Sequence, residues 1–536
     1  MRQKITIFLI ICTALIPALV YAQDNAMSVR AANDLAVVKT EAGLLRGYQH
    51  KGIFTYKGIP YADAERFMPP VKVKAWKGIR SSMAYGPVCP VEATTAVNDA
   101  FEFAFQHTLG YMNEHCQNLN IWTPKINDQK KRPVMVWFHG GGYTNGSSIE
   151  QPGYDGENLS RTGDVVVVSV NHRLNVLGFL DLSAYGAPYQ SAPNVGLMDL
   201  VAALQWVQAN IAQFGGDPAN VTIFGQSGGG GKVTAMMNAP SAKGLFHKAI
   251  VQSGSSTITY ADRLNAQKVA KALLEELKLQ PSQIDSLAKI PYEQLLAASK
   301  IAMKRVSAAL NAEGIRFGGN WGPIFDGNFF PDQPTDPRAK ALALNIPLMV
   351  GTTKNEMTPF TPDSVELSMD MVKSIAAKRY GNEAAGYLSE VKKAYPDTDK
   401  PTSYLDIDFR ARPLAIRQAN LRAVEGAAPV YMYLFAWHSP VNNGLYKAMH
   451  CSEIPFVFNN IEHCQEMTGG GSQAYSLAAK MSAAWINFAR SGNPNAPGLP
   501  NWPAYTPSQG ATMIFDQKST VRNHHDAALL KIVAGK

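Results

Sequence analysis

The chain has 536 residues, 46% hydrophobic and 17% charged, with 43 glycines and 33 prolines. This composition excludes intrinsic disorder, a collagen repeat and a coiled coil, because each of those classes has a very different composition. The net charge is +8, but the densest basic cluster is residues 130–132 and no long stretch interleaves basic with aromatic residues, so no nucleic-acid groove is predicted.

The amino terminus has the order of a secretory signal. Residues 1–22 begin with two basic residues, continue with an apolar run over residues 5–20, and end in small residues around Ala22, as signal peptidase requires. The apolar run of 16 residues (20 − 5 + 1) is shorter than the ~20 residues of a spanning helix. We therefore expect cleavage after Ala22 and a secreted or periplasmic protein of residues 23–536, with a charge of +6 (8 − 2).

Short apolar runs alternate with helical periodicity along the rest of the chain. The runs are rich in β-branched and aromatic residues, which is typical of strands buried on both faces. They span residues 134–138, 165–170, 221–224, 248–252, 347–350 and 430–435. The helical segments include residues 197–210, 263–277 and 472–489. This alternation predicts an α/β fold with a mostly parallel central sheet flanked by helices. No repeat or linker interrupts it, so we expect a single large domain.

A run of glycines follows the first of these predicted strands. Residues 134–138 lead into His139-Gly140-Gly141-Gly142. Backbone N–H groups can stabilise the anion of a tetrahedral intermediate only where no side chain blocks the approach. We expect Gly141 and Gly142 to supply such donors, as the corresponding glycines do in lipases and esterases. The alternatives are a phosphate-binding loop, which would need a Lys-Ser/Thr pair that is absent here, and a flexible turn.

The most informative motif is a Gly-x-Ser-x-Gly sequence between a predicted strand and a helix-compatible segment. It reads Gly225-Gln226-Ser227-Gly228-Gly229. A serine at a sharp strand-to-helix turn is strained, so the residues two before and two after it must be small. The turn also places the serine at a helix amino terminus, where free N–H groups favour an anion. We predict that Ser227 is a nucleophile and that the Gly228 N–H is a third oxyanion donor; a purely structural turn is the alternative.

These motifs occur among further segments that are spread over most of the chain in one order. The segments are residues 58–62, 66–67, 119–124, 154–156, 194–197, 214–218, 251–254 and 326–327, with a final match near Trp502. Together they resemble the type-B carboxylesterase family, the cholinesterase-like branch of the α/β-hydrolases. The resemblance implies an α/β-hydrolase fold and ester hydrolysis, and it matches Arg66 and Glu114 to a structural ion pair.

The resemblance also implies the remaining catalytic residues. The family carries its acid as a glutamate just after a strand, in a segment like the one that ends at Glu356, and Asp326 and Asp363 are alternative acids. It carries its histidine in a segment like Ala-Met-His-Cys, which implies His450 as the base. In this fold the order along the chain is serine, acid, histidine. The other histidines that follow Glu356 are His438, His463, His524 and His525.

Four cysteines remain once Cys12 leaves with the signal. An even number in an oxidising compartment suggests two disulfides. The pairing of sequence neighbours, Cys89 with Cys116 and Cys451 with Cys464, is the most economical of three; four buried free thiols are the alternative. The first pair also matches a family disulfide that closes a loop over the active-site entrance, and the second would tether the histidine loop.

Two departures from the cholinesterase sequence pattern narrow the range of expected substrates. Gln226 stands where they carry a glutamate, and Gln106 stands where they carry a tryptophan that stacks on the quaternary ammonium. Without the anion and the cation–π platform, choline esters are disfavoured. The candidate substrate-contacting residues are Gln226, Phe105, Tyr143 and Phe317, and each aromatic residue could equally belong to the core.

Gly228 is a third departure, because the family commonly carries alanine at this position. It begins a run of four glycines that extends into the predicted helix. The sequence leaves two explanations open: a wider acyl site or close packing.

The residues predict a nucleophile at Ser227, and the resemblance implies a serine carboxylesterase that acts through an acyl-enzyme on it, with His450 as general base and Glu356 as orienting acid. No metal or organic cofactor is expected. The substrate classes left open are simple aryl or alkyl esters, aromatic diesters, carbamates or pyrethroids, and bulky polycarboxylate esters such as fumonisin-type toxins. A secreted acyltransferase and a non-catalytic cholinesterase-like binding module are the alternative functions. We expect a small-molecule ester as partner, no nucleic acid, no stable membrane insertion, and a monomer or dimer.

Overall fold

The computed structural model describes residues 28–92, 98–255, 259–356, 364–396 and 398–535. The predicted signal, residues 1–22, and the alternative acid Asp363 lie outside these residues. The strands within them are β1 Val37–Lys39, β2 Leu44–Arg46, β3 Tyr48–His50, β4 Ile53–Pro60, β5 Ile79–Ser81, β6 Asn118–Thr123, β7 Arg132–Phe138, β8 Val166–Val170, β9 Gly216–Gln226, β10 Lys248–Gln252, β11 Ala261–Asp262, β12 Ile324–Phe325, β13 Leu348–Thr353, β14 Val430–Phe435, β15 Ala511–Phe515 and β16 Thr520–Asn523.

One large sheet organises these strands. Its order is β16-β15-β14-β13-β10-β9-β7-β8-β6-β4-β3, and two small sheets, β1-β2-β5 and β11-β12, accompany it. The neighbouring strands from β15 to β8 run parallel, whereas the outer pairs are antiparallel. The predicted α/β fold with a mostly parallel central sheet is therefore confirmed. Because β9, β10, β13 and β14 are adjacent and parallel, the loops after them meet at one edge.

Helices cover the sheet between the strands. The α-helices are Asp99–Ala104, Glu157–Gly163, Asn175–Phe179, Val195–Asn210, Gly228–Met237, Arg263–Glu276, Tyr292–Ala312, Pro337–Ala341, Met369–Tyr380, Ala384–Ala394, Ala411–Arg422, Val441–Gly444, Ile454–Phe458, Gln465–Thr468, Ser472–Ser491 and Ala527–Ala534. The three helical segments expected from periodicity are confirmed, with boundaries within a few residues.

The sheet has an apolar core on each face. In β7, Val134 and Val136 belong to one buried cluster, whereas Met135 and Trp137 belong to the other, because successive side chains of a strand point to opposite faces. This explains why the central strands read as continuous apolar runs. Among the described residues, Ala187–Phe214 is long and apolar enough to cross a membrane, but 67% of its apolar window is buried in the fold, as in a core helix.

Candidate active site

The nucleophile turn joins β9 directly to the helix Gly228–Met237. Ser227 lies between them with φ 56° and ψ −124°, an unusual conformation for a residue with a side chain. The flanking glycines are sterically required: a Cβ at Gly225 would lie 2.5 Å from a backbone carbon of Gly229, and a Cβ at Gly229 would lie 2.0 Å from the carbonyl oxygen of Phe138. The turn is thus packed against the end of β7.

The oxyanion loop reaches the nucleophile turn through Gly228. A Cβ on Gly228 would lie 2.3 Å from the Gly142 carbonyl oxygen and 2.5 Å from its nitrogen. Gly141 and Gly142 have φ values of +79° and +64°, the left-handed region that glycine adopts without strain. Of the two explanations for glycine at position 228, the structure supports close backbone approach. The backbone of Gly142, which follows Gly141 in the chain, therefore lies against that of Gly228.

Glu356 follows β13 and is almost fully buried. One carboxylate oxygen accepts hydrogen bonds from the Ser253 hydroxyl at 2.6 Å and from the Thr353 N–H at 2.9 Å. The other oxygen contacts Nδ1 of His450. The backbone N–H of His450 also donates to the Glu356 carbonyl at 3.2 Å. The imidazole is therefore held by both side-chain and main-chain contacts.

The electrostatics of this pair suit a base and its orienting acid. Burial by itself would raise the pKa of Glu356, but His450 and the hydrogen bonds from Ser253 and Thr353 lower it overall. Burial by itself would lower the pKa of His450, but Cys451 and Glu356 raise it well above its usual value. A carboxylate facing Nδ1 favours the tautomer with the proton on Nδ1, which leaves Nε2 free to accept a proton.

Gln226, the residue before the nucleophile, lies across the imidazole. Its Nε2 lies 3.3 Å from Nδ1 and 3.2 Å from Nε2 of His450, so the amide is equally close to both ring nitrogens, and its Oε1 accepts a hydrogen bond from the Cys451 thiol at 3.1 Å. Gln226 thus contacts both His450 and Cys451.

A cavity of about 980 Å³ opens onto these residues. The residues that line it include Ser227, Gln226, His450, Glu356 and Phe105. The charged residues among its described lining are Glu92, Glu102, Glu150, Glu356, Asp408 and Arg410, with His107 beside them. Carboxylates therefore outnumber the single arginine, although the chain as a whole is basic.

Two of the predicted pocket residues lie elsewhere. Tyr143 packs edge-on against Phe179, with ring centroids 5.2 Å apart, and Phe317 packs against the apolar cluster around the helix Tyr292–Ala312. Neither is among the described residues that line the cavity. The expectation that Tyr143 and Phe317 contact the substrate is therefore corrected. Tyr143 follows the glycine loop in sequence, but its ring points into the core. The carboxylate of Asp326, the alternative acid, accepts hydrogen bonds from the Asn194 side-chain amide and from two backbone N–H groups instead.

The expected disulfides are not formed in the structure, where all four cysteines are free and buried. Burial, together with the neighbouring Cys89, raises the pKa of the Cys116 thiol. Cys451 instead donates to Gln226, while Cys464 packs in a different apolar cluster. The pairing of Cys451 with Cys464 is corrected, because the Cys451 side chain is directed into the catalytic cavity.

Arg66 and Glu114 form the expected ion pair, with Arg66 Nε donating to Glu114 at 2.7 Å. Ser253 is a residue for which the sequence analysis named no role. It follows β10 as Glu356 follows β13, so both come from the same edge of the sheet. The signal in the sequence that could have identified Ser253 is its position directly after a buried strand, in a chain that also contains the Gly-x-Ser-x-Gly motif.

The chain matches the Carboxylesterase family over residues 34–532. It belongs to the carboxylesterase family. The resemblance to the type-B carboxylesterases is thereby confirmed, and the protein is a carboxylic ester hydrolase.

Characterised relatives of this carboxylesterase have similar activities. It is 35% identical to the para-nitrobenzyl esterase of Bacillus subtilis (strain 168), over 91% of this chain and 96% of the relative. It is 31% identical to the phenmedipham hydrolase of Pseudarthrobacter oxydans, over 89% of this chain and 94% of the relative.

Solved structures show the same fold. An esterase from anaerobic Clostridium hathewayi that can hydrolyze aliphatic aromatic polyesters has a TM-score of 0.85 and 40% identity, covering 95% of this chain and 100% of that one. A thermophilic PNB esterase has a TM-score of 0.73 and 33% identity, covering 93% and 99%.

Proposed function

We propose that this carboxylesterase hydrolyses esters through an acyl-enzyme on Ser227. The observation that carries the proposal is the strained serine in the lining of a cavity that also contains the buried Glu356–His450 pair. His450, oriented by Glu356, takes the hydroxyl proton as the Ser227 oxygen attacks the ester carbonyl. The oxyanion is stabilised by the N–H groups of Gly141, Gly142 and Gly228.

The tetrahedral intermediate then collapses, and His450 returns the proton to the leaving alcohol. Water enters the cavity and repeats the attack on the acyl-enzyme with the same base, which releases the carboxylic acid and restores Ser227. An alcohol taking the place of water would yield acyl transfer, so product analysis in the presence of added alcohol separates the hydrolase from the acyltransferase.

Ser227→Ala tests the assignment. We expect turnover of a p-nitrophenyl ester to fall by about 10⁴-fold or more and covalent labelling by a fluorophosphonate probe to disappear. Ser508→Ala, an exposed serine remote from the cavity lining, is the control and should keep both. Labelling of a peptide that does not contain Ser227 in the wild-type protein would overturn the proposal.

We further propose that the substrates are uncharged esters with aromatic groups. The cavity wall contains Phe101, Phe105 and Leu109, and the carboxylates around it would repel polycarboxylate esters. The relative that can hydrolyze aliphatic aromatic polyesters supports this class, whereas the chain's overall positive charge does not act at the site. The polycarboxylate alternative is disfavoured for the same electrostatic reason.

An exposed apolar rim beside the cavity extends this argument. Phe101 is 45% exposed, Phe103 51%, Leu109 45% and Tyr111 69%, and Phe101 and Leu109 also line the cavity. Exposed apolar residues grouped around a site are typical of binding surfaces. A long ester with repeating aromatic units could thus contact the rim while one bond lies at Ser227. Release of soluble aromatic acid from an aromatic–aliphatic oligoester, measured by chromatography, tests this class.

Export is proposed from the amino-terminal signal. Protein recovered outside the cytoplasm should begin at residue 23, as measured by amino-terminal sequencing. In that oxidising compartment the neighbouring thiols of Cys89 and Cys116 are placed to form the first expected disulfide. Thiol titration of the unfolded protein should then count two free thiols rather than four, and four would contradict the bridge.

A further inference from the structure

A buried lysine lies directly behind the oxyanion loop. Lys232 belongs to the helix Gly228–Met237 and has no solvent exposure. Its Nζ donates to the carbonyl oxygen of His139 at 2.9 Å and lies 5.8 Å from the centre of the Tyr143 ring. His139 immediately precedes and Tyr143 immediately follows the three glycines of the loop. One side chain of the nucleophile helix therefore contacts both ends of the oxyanion loop.

This position is energetically unfavourable for a cation. A buried ammonium loses its hydration, and in the first turns of a helix it faces the positive end of the helix dipole. Within the described residues Lys232 forms no ion pair; burial lowers its pKa to about 7, and the charge of Glu150 is the main influence in the opposite direction. An apolar side chain would fill the same space at lower cost, so folding alone does not explain the lysine.

The other titratable groups around Lys232 do not replace its charge. His139 and His172 lie with ring centroids 5.3 Å apart, and burial followed by the charge of Lys232 lowers the pKa of both. Burial also raises the pKa of Glu150, and the nearby thiol of Cys89 belongs to the pair described above. Lys232 therefore supplies the positive charge of this buried cluster when it is protonated.

We propose that Lys232 is a positioning residue of the oxyanion hole: it ties the glycine loop to the nucleophile helix and places positive charge behind the oxyanion donors. The proposal rests on the catalytic assignment of Ser227. A neutral ester gains little from this charge, whereas the tetrahedral intermediate carries a full negative charge in a poorly hydrated cavity. The interaction thus strengthens as the reaction proceeds, which raises kcat rather than lowering KM.

Lys232→Met tests this role, with Lys248→Met as the matched control. Lys248 is also buried, but its Nζ contacts Asn220 and it begins β10, at the end of the strand opposite the site. We expect Lys232→Met to lower kcat for a p-nitrophenyl ester at least about tenfold with KM within about threefold, and to weaken a trifluoromethyl ketone inhibitor by the same factor as kcat. Lys248→Met should leave all three values within about threefold.

Three results would overturn the proposal: an unchanged kcat in Lys232→Met, an equal loss in the control, or a loss of kcat without weaker inhibitor binding. If Lys232→Met does not fold, Lys232→Ser, which is smaller than the space available, is subjected to the same measurements. The fluorophosphonate label on Ser227 is recorded in parallel. Wild-type protein that is not labelled there would contradict the assignment of Ser227, not the role of Lys232.

Discussion

At the scale of single residues, the chemistry depends on the opposite pKa shifts of Glu356 and His450. The carboxyl pKa is lowered and the imidazole pKa is raised, so each group stabilises the charged form of the other. A raised base pKa increases the driving force for proton removal from Ser227, but it also demands a higher pH to keep the ring neutral. The acid limb of the activity profile should therefore lie above the ordinary histidine pKa of about 6.5.

Glu356→Gln should change both the rate and the pH profile. It removes a negative charge that raises the pKa of His450 and leaves an amide that does not enforce the tautomer. We expect kcat to fall at least about 100-fold and the acid limb of kcat/KM to move to lower pH, because the ring then loses its proton more easily. A pH–rate profile for each protein measures both effects.

Asp326→Asn is the control for this experiment, because Asp326 was the other described candidate acid and lies among backbone N–H groups instead. The acid limb of the pH–rate profile of Asp326→Asn should coincide with that of the wild type. A shift in Asp326→Asn together with an unshifted Glu356→Gln would reassign the acid.

At the scale of elements, the site depends on how closely the nucleophile helix approaches β7. Glycine at positions 225, 228 and 229 lets backbone meet backbone, with no room for a single methyl group. Such contacts couple the position of Ser227 to that of the oxyanion loop, which continues from β7. A small displacement of the helix would therefore move nucleophile and donors apart.

Gly229→Ala should produce this displacement. The new Cβ would lie 2.0 Å from the Phe138 carbonyl oxygen, so the helix must move away from β7. We expect kcat/KM to fall at least about 100-fold and the apparent Tm to fall by several degrees. Gly471→Ala is the control, because a Cβ there meets nothing within 4 Å and the φ of −76° suits alanine. Equal activity in the two variants would contradict the steric argument.

At the scale of the whole molecule, the charged residues around the cavity differ in composition from those of the whole chain. The chain carries +8, yet Glu92, Glu102, Glu150 and Asp408 lie around a cavity with one arginine, Arg410. At ordinary ionic strength a charge acts on an entering substrate mainly within about 10 Å, so the charges around the cavity affect it more than those on distant surfaces.

An anionic ester should reveal this field. We expect a hemisuccinate aryl ester to have a higher KM than the neutral acetate of the same phenol, with a difference that shrinks as salt rises from about 10 mM to about 500 mM. Neutralising two carboxylates in Glu102→Gln/Glu150→Gln should lower KM for the anionic ester only. Steady-state kinetics at both salt concentrations measure the effect; a KM that is equal for both esters would show that the field does not reach the substrate.

Much of this architecture could be predicted from local sequence. Glycine spacing around Ser227 and the triple glycine after β7 reflect steric requirements that act within a few residues, and the strand runs reflect burial on both faces. Glu356 and His450 came from the family resemblance. Neither residue type nor spacing identifies them alone, because their partners lie far away in the chain.

What the sequence by itself determined is the fold class and the family, together with the glycine-rich turn and loop that we propose to carry the nucleophile and the oxyanion donors. What only the tertiary structure decided is where side chains from distant segments point: Tyr143 into the core, the Cys451 thiol toward Gln226, Ser253 toward Glu356, and Lys232 behind the glycine loop. The physical reason is the distance along the chain over which each effect acts. Backbone sterics and periodicity are local, whereas packing direction, charge environment and cavity shape arise only when strands far apart in sequence meet at one edge of the sheet.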